Sequence, residues 1–274
     1  MLFIHRRNLR RRFKKASLII LGLYLVIGVA LYFLQESFIF QPSTLSKDYT
    51  YKLNYEYEEY FHNTEEGALV NALHIKAKNP KGVIFYCHGN AGHLQRWGAI
   101  VEYFSAMQYD VYIMDYRGFG KSNGAIGEAA LYKDVAFCYN HLKQFWDEEN
   151  IIVYGRSLGT TAATKIAAIN NPKQLILETP FFSIVDVAQR RFPMYPINQL
   201  VKYEFPTYEF IKDVNCRISI IHGTRDFTVP YNSAKKLFEF APKDLTTFTT
   251  IQQGGHNDLP NFEEYHSVIE DILK

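Results

Sequence analysis

A serine hydroxyl is a poor nucleophile until a base takes its proton, and the segment Gly155-Arg156-Ser157-Leu158-Gly159 offers a serine in the setting where that chemistry is done. The β-branched and aromatic run at 151–154 reads as a short buried strand, and the small-residue stretch 158–170 reads as a helix. Glycines on either side let the chain reverse within a few residues and hold Ser157 in a strained backbone conformation with its hydroxyl exposed. The helix then points its N-terminal N–H groups, and the positive end of its dipole, toward the place where an oxyanion would develop.

Ser157 needs a histidine, and that histidine needs a carboxylate to hold its tautomer. Of nine histidines, His256 stands in Gly254-Gly255-His256-Asn257-Asp258, a bent loop after the last strand, from which a ring can reach back over Ser157. His88 and His222 each precede a glycine at a strand end and read as structural; His93 follows the Gly-rich loop and could line a pocket. For the acid, Asp226 ends the strand-turn 220–226, and the order Ser157, Asp226, His256 is the order this motif class uses. Glu178, at the end of the strand after the elbow, is a rival or a support. Asp258 is too near His256 in sequence to reach its ring comfortably and is expected to cap the following helix. Asp115 is expected to tie down its own loop. The oxyanion donors should be the N–H of Leu158 and an N–H of the loop after strand 82–87, from Asn90 or Ala91. No Gly-Lys-Ser/Thr follows either glycine cluster, Gly118-Phe119-Gly120 lacks a third spaced glycine, and no HExxH, HxH or Cys/His spacing occurs. Neither a cofactor nor a metal is expected.

These residues have to be positioned by a large α/β unit. The 274 residues are 47% hydrophobic and 16% aromatic, enough for one such domain plus a small extra segment. Seven of the 30 basic residues fall within the first fifteen positions; the remaining 23 face 28 acidic residues, so the rest of the chain carries −5. That balance excludes a nucleic-acid surface. Cys87, Cys138 and Cys216 are scattered and odd in number, and read as free packed thiols.

Residues 1–15 form a basic tail and 16–35 an uncharged apolar run. Twenty helical residues reach about 30 Å, one hydrocarbon core. With no small-x-small cleavage site before Glu36, the run is expected to be a transmembrane signal anchor rather than a cleaved leader. The basic flank predicts a cytoplasmic N-terminus and a domain on the opposite, extracytoplasmic or lumenal, face. Tyr32, Phe33, Phe38 and Phe40 are expected near the far interface, and 41–43 reads as a linker.

In the remaining domain, 36–274, the segments 49–62 and 68–77 read as an edge hairpin joined by Thr64-Glu65-Glu66-Gly67. From Gly82 apolar strands (82–87, 111–115, 151–154, 174–178, 217–222, 246–251) alternate with helices (94–107, 128–147, 158–170, 232–240, 261–273). That alternation is a doubly wound parallel sheet, with the chemistry-bearing turns at the carboxyl ends of its strands. Residues 181–213, rich in Phe, Tyr and Pro, are expected to form a cap over those ends or an irregular crossover, with Phe181, Phe182 and Phe192 as candidate substrate contacts.

Five motifs in order, His88-Gly89-Asn90-Ala91-Gly92, Asp115 through Ser122, Gly155 through Gly159, His222 through Asp226 and Gly255 through Asp258, resemble the α/β-hydrolase superfamily. They look closest to its abhydrolase-domain, serine aminopeptidase-like branch. The resemblance covers residues 36–274 and implies an eight-stranded, mostly parallel sheet, no cofactor, and hydrolysis through an acyl-enzyme. Carried over by motif, it implies Ser157 as nucleophile, His256 as base and Asp226 as its orienter. The expected activity is hydrolysis of a small-molecule or acylated ester or thioester by a membrane-anchored enzyme. A peptidase or amidase would use the same triad, and a catalytically silent tethered scaffold would use the fold without it.

Overall fold

Strands covered on both faces read as unbroken apolar runs, and such runs make the middle of this protein. A computed structural model describes residues 2–64 and 67–274, with the course of the chain alone for 2–9. The expected turn at Glu65 and Glu66 lies outside the described residues, as do the side chains of Arg6 and Arg7 in the basic tail.

The chain begins with helix α1 (Leu2–Ile39), then β1 (Gln41–Pro42), β2 (Tyr57–Asn63), β3 (Leu69–Ile75), β4 (Val83–Cys87), β5 (Ala91–Gly92), α2 (Leu94–Ala106) and β6 (Asp110–Met114). It continues through α3 (Glu128–Leu142), β7 (Ile151–Arg156), α4 (Gly159–Ile169), β8 (Gln174–Glu178), α5 (Ile184–Arg191), α6 (Ile197–Leu200) and α7 (Thr207–Phe210). Last come β9 (Arg217–Gly223), α8 (Tyr231–Phe240), β10 (Thr246–Ile251) and α9 (Glu263–Ile272). Eight strands form one sheet in the order β10-β9-β8-β7-β4-β6-β3-β2, with β2 on the expected edge. β3 pairs antiparallel with both β2 and β6, and the other pairings are parallel.

Successive side chains of a strand leave opposite faces, so each central strand feeds two cores. From β4, Val83, Phe85 and Cys87 join the layer holding Leu131 and Val135 of α3, Ala162 and Ile166 of α4 and Leu237 of α8. Ile84 and Tyr86 join the opposite layer, with Leu94, Trp97 and Val101 of α2 and Tyr265 and Ile269 of α9. Two ion pairs, the first buried on both sides, fasten the loops at the strand ends. Arg117 grips Asp134 at 2.7 and 3.0 Å, and Lys121 reaches Glu59 at 2.7 Å. Asp115 works differently from expectation: its Oδ2 accepts from the N–H of Leu94, tying down the start of α2 rather than its own loop. Cys87, Cys138 and Cys216 are free thiols.

Several elements differ from the sequence reading. The first hairpin arm begins at Tyr57 rather than at residue 49, because the N–H groups of Lys52, Asn54 and Tyr55 are spent on the side chains of Gln95 and Glu102 of α2. Helix α1 runs without interruption through residues 15–16 and 35–36, because nothing in either junction breaks a helix, and it stops only before Gln41-Pro42. Phe40 is not turned outward; it is 3% exposed, packed against Tyr203 and Phe205. Helix α3 ends at Leu142 instead of running to 147, closing through turns whose N–H groups bond back to Tyr139, His141 and Leu142.

On the β2 edge, burial, with His141 nearby, pushes His62 down to about 4, and its Nε2 meets the Tyr112 hydroxyl at 2.6 Å. In the unfolded chain this imidazole gains its proton near the ordinary value of about 6.5. The stability tied to keeping it neutral is therefore complete above that pH and is lost as pH falls toward 4. Thermal melts of the detergent-solubilised protein should show a midpoint that drops between pH 7 and pH 5, with a shallower drop for His62→Phe; identical slopes would remove His62 from the account.

Candidate active site

Between β7 and α4 the chain turns so tightly that Ser157 takes φ +51°, a left-handed conformation that costs a non-glycine residue of the order of 1 kcal/mol. Two glycines make the turn sterically possible. A Cβ on Gly155 would lie 2.7 Å from Ala163 Cβ and Thr160 Cα, and one on Gly159 would lie 2.1 Å from the carbonyl oxygen of Cys87. The strain is held by hydrogen bonds: the Ser157 N–H donates to the Glu178 carbonyl at 3.0 Å, and the Thr160 N–H and hydroxyl both donate to the Ser157 carbonyl.

Asp226 follows β9, and His256 follows β10, in the loop between Gly255 and Asp258. The structure brings both to Ser157. His256 Nε2 is 2.9 Å from Ser157 Oγ, and His256 Nδ1 is 2.7 Å from Asp226 Oδ2. With Nδ1 donating to the carboxylate, Nε2 is free to accept from the hydroxyl. The other Asp226 oxygen accepts from the N–H groups of Thr228 and Val229, each at 2.8 Å, so the carboxylate is fixed by three donors. The His256 loop is braced twice. Asp258 Oδ1 accepts from the Gly255 N–H at 2.6 Å instead of capping the helix that follows, and Arg156 donates to the His256 carbonyl and to Asn257 Oδ1 at 3.4 Å.

Glu178 is spent elsewhere. Its carboxylate lies 3.1 Å from Arg156 Nε and accepts from the hydroxyls of Tyr154 and Tyr265 at 2.5 and 3.1 Å. Burial, and then the Glu178 charge, push both phenols well up, so they remain donors. Burial works hardest against the Arg156 charge, but Glu178 together with Tyr86, Tyr154 and Tyr265 outweighs it and raises the guanidinium pKa. The network lies directly beneath the elbow. His222 is buried behind Asp226, its Nδ1–H donating to the Gly223 carbonyl and its Nε2 3.7 Å from Asp226 Oδ2. Burial pushes its pKa down despite the carboxylate, leaving it neutral.

A cleft of about 430 Å³ opens beside Ser157, within the range of small-molecule sites. Leu158, Asn90, Phe181 and Phe192 line it. Ala91 is held just beyond, pairing with Gln41 and accepting from Trp97 Nε1 through its carbonyl at 2.8 Å. Phe182 turns away and stacks on Tyr208 at 4.4 Å, because its N–H is tied to Ser233 on α8. His93 also lies outside the cleft, at the start of α2 with its Cβ against Gly120. Sequence reasoning missed the wall supplied by α1, through Leu31, Gln35, Phe38 and Ile39. A signal was present: Gln35 is a polar residue closing an apolar run. It also missed Phe227 and Val229, beside Asp226.

A mostly parallel eight-stranded sheet with a strained serine turn after its central strand, and an acid and a histidine after the last two, defines the class of fold: the chain has the α/β-hydrolase fold. A family model described as serine aminopeptidase, S33 matches residues 78–210, which include Ser157 and stop short of Asp226 and His256. The chain is 30% identical over 185 residues to the lysophosphatidylserine lipase ABHD12 of Danio rerio, covering 58% of this chain and 47% of that protein. It is 27% identical over 207 residues to alpha/beta hydrolase domain-containing protein 17C of Xenopus tropicalis, covering 74% and 65%. The chain thus spans between about half and two thirds of the length of these curated relatives. Among solved structures, a Pyrococcus furiosus esterase superposes with a TM-score of 0.68 at 18% identity over 86% of this chain and 96% of its own. Acetyl xylan esterase 1 from Thermoanaerobacterium gives 0.65 at 16% identity, over 83% and 86%. The curated matches liken the chain to the abhydrolase-domain branch.

Breaking a buried ion pair by neutralising one partner strands the other charge. Glu178→Gln should therefore lower the unfolding free energy by about 3 kcal/mol, measured by urea denaturation. A variant as stable as the parent would mean that Arg156 finds another partner.

Proposed function

We propose that this protein is a membrane-anchored serine hydrolase that cleaves a carboxylic ester or thioester through an acyl-enzyme. The observation that carries the reading is the single imidazole of His256 within hydrogen-bond reach of both Ser157 Oγ and Asp226 Oδ2. As the Ser157 oxygen attacks the substrate carbonyl carbon, its proton passes to His256 Nε2, and the carbonyl π pair moves onto oxygen. Asp226 holds the imidazole in the tautomer that can accept and stabilises the imidazolium that forms. The N–H of Leu158 and an N–H of the Asn90–Ala91 loop stabilise the tetrahedral oxyanion. Collapse expels the alcohol or thiol, which takes the proton from His256. Water, deprotonated by the same ring, then releases the acid and restores Ser157.

The cleft supports an apolar acyl group. Its lining is dominated by Leu, Ile, Val and Phe side chains, and among the described residues its single charged member is Arg191. An aminopeptidase has to receive a free α-ammonium group, for which a carboxylate is the natural partner, and among the described residues none lines this cleft. The family model's aminopeptidase description is thus weaker support than the apolar lining, which agrees with the lipase and esterase names of the relatives.

The anchor is residues 16–35, within the stretch Arg10–Ile39 that is long and apolar enough to cross a membrane. Basic residues 6–15 keep the N-terminus in the cytoplasm, and the hydrolase domain, 36–274, works on the opposite face with 181–213 as its cap.

A fluorophosphonate probe should label the parent protein in membranes and leave Ser157→Ala unlabelled. Hydrolysis of short p-nitrophenyl esters should fall about 10³-fold or more in Ser157→Ala, and by a comparable factor in Asp226→Asn, as for loss of a triad member. Turnover by Ser157→Ala equal to that of the parent would refute the mechanism.

A further inference from the structure

Helix α1 does more than lead into the domain. From residue 10 to residue 23 every described side chain is exposed, but Tyr24, Gly28, Leu31, Gln35 and Ile39, spaced by three or four, form a stripe turned toward residues 192–203. Tyr24 stacks on Tyr195 at 4.5 Å with the rings 4° from parallel, and its hydroxyl donates to the Met194 carbonyl at 3.0 Å. The Tyr195 hydroxyl returns a bond to the Tyr24 carbonyl, and its ring lies against Gly28, where a Cβ would be 3.4 Å away. Nearer the domain, Gln35, 8% exposed, donates to the Leu200 carbonyl at 3.0 Å and accepts from the Lys202 N–H at 2.7 Å. The cap thus descends along the helix from Gln35 to Tyr24, about 17 Å at 1.5 Å per residue.

The length of the apolar run decides what surrounds that contact. The uncharged run begins after Lys15, and residues 16–23, exposed and without a partner among the described residues, rise only about 12 Å. A hydrocarbon core is about 30 Å thick, so the remaining 18 Å or so has to be crossed by the part of α1 that carries the cap. The tip is fitted to that depth. It reads Phe192-Pro193-Met194-Tyr195-Pro196-Ile197, with Met194 77% exposed, and Asn198 and Gln199 are the polar side chains between Arg191 and Lys202, which bracket it. Lys202 lies over the Tyr32 ring at 4.7 Å, as a side chain reaching back to an interface does.

We propose that the cap tip, residues 192–197, lies in the hydrocarbon of the far leaflet against α1, and that the cleft takes the acyl chain of a bilayer lipid directly, without passage through water. This rests on the anchored-hydrolase reading above. Leu31, Phe38 and Ile39 of the helix form one side of the chain's path, and Phe192, Ile197 and Leu200 of the cap form the other. The path ends at Ser157, close to where α1 leaves the membrane, which is the level of a lipid's ester groups.

The test uses the full chain in phosphatidylcholine vesicles. In a Cys216→Ser background, Met194→Cys carries an environment-sensitive fluorophore, Cys87 and Cys138 being buried. Nitroxides on the lipid acyl chain should quench it more strongly than nitroxides on the headgroup or iodide in water; the reverse order overturns the immersion. The second measurement compares p-nitrophenyl palmitate with the acetate. Leu31→Trp should lower the palmitate-to-acetate ratio of kcat/KM about tenfold or more, the value of two methylene groups kept out of an apolar site. An unchanged ratio overturns the path along α1. If the parent turns over neither ester, the hydrolase reading fails, and the quenching order still decides where the cap lies.

Discussion

How closely helix α4 approaches the end of the sheet governs the geometry of this protein. The contact at Gly159 leaves no room for a side chain beside the Cys87 carbonyl, and that closeness bends the chain back at Ser157 into a conformation serine ordinarily avoids. A strained residue persists only where its surroundings over-determine it. Here they do so through β7, buried in the middle of the sheet, and through backbone bonds from Ser157 to Glu178 and from Thr160 back to Ser157. The hydroxyl emerges at the rim because the backbone beneath it has nowhere else to go.

Below the rim, the polar groups are arranged so that each charge has its own duty. Glu178 is occupied by Arg156, Tyr154 and Tyr265, and Asp226 by two backbone donors and His256. Two carboxylates at neighbouring strand ends therefore do not compete for one imidazole. Arg156 links the two systems, since the guanidinium that neutralises Glu178 also touches the backbone carrying His256. The buried network is a foundation for the histidine loop as much as for the strand.

Much of this was legible in the residues. The central strands followed from unbroken apolar runs such as 82–87 and 151–154, because burial on both faces leaves so plain a pattern. Ser157, Asp226 and His256 stood out because each sits in a turn, where glycine spacing and chain order carry information. What escaped was set by contacts distant in sequence. Asp115 and Asp258 were readable as turn residues, but which N–H each accepts depends on the approach of α2 and on the bend at Gly255. Phe182 and Phe192 are alike as residues, and only the tether to Ser233 sends one of them away from the cleft. A hydropathy profile likewise cannot report that one face of an apolar helix is occupied by another part of the same chain.

Where α1 ends, Gln41 and Pro42 pair in parallel with Ala91 and Gly92, and the Gln41 N–H bonds to the carbonyl of Asn90. The loop beside Ser157 is therefore sewn to the leader that emerges from the apolar helix. Trimming such a leader, as is routinely done to obtain a secreted domain, would unpick that seam and remove a side of the cleft in one cut. A truncated chain would carry an altered cleft, and whatever it bound would describe the trimming as much as the protein.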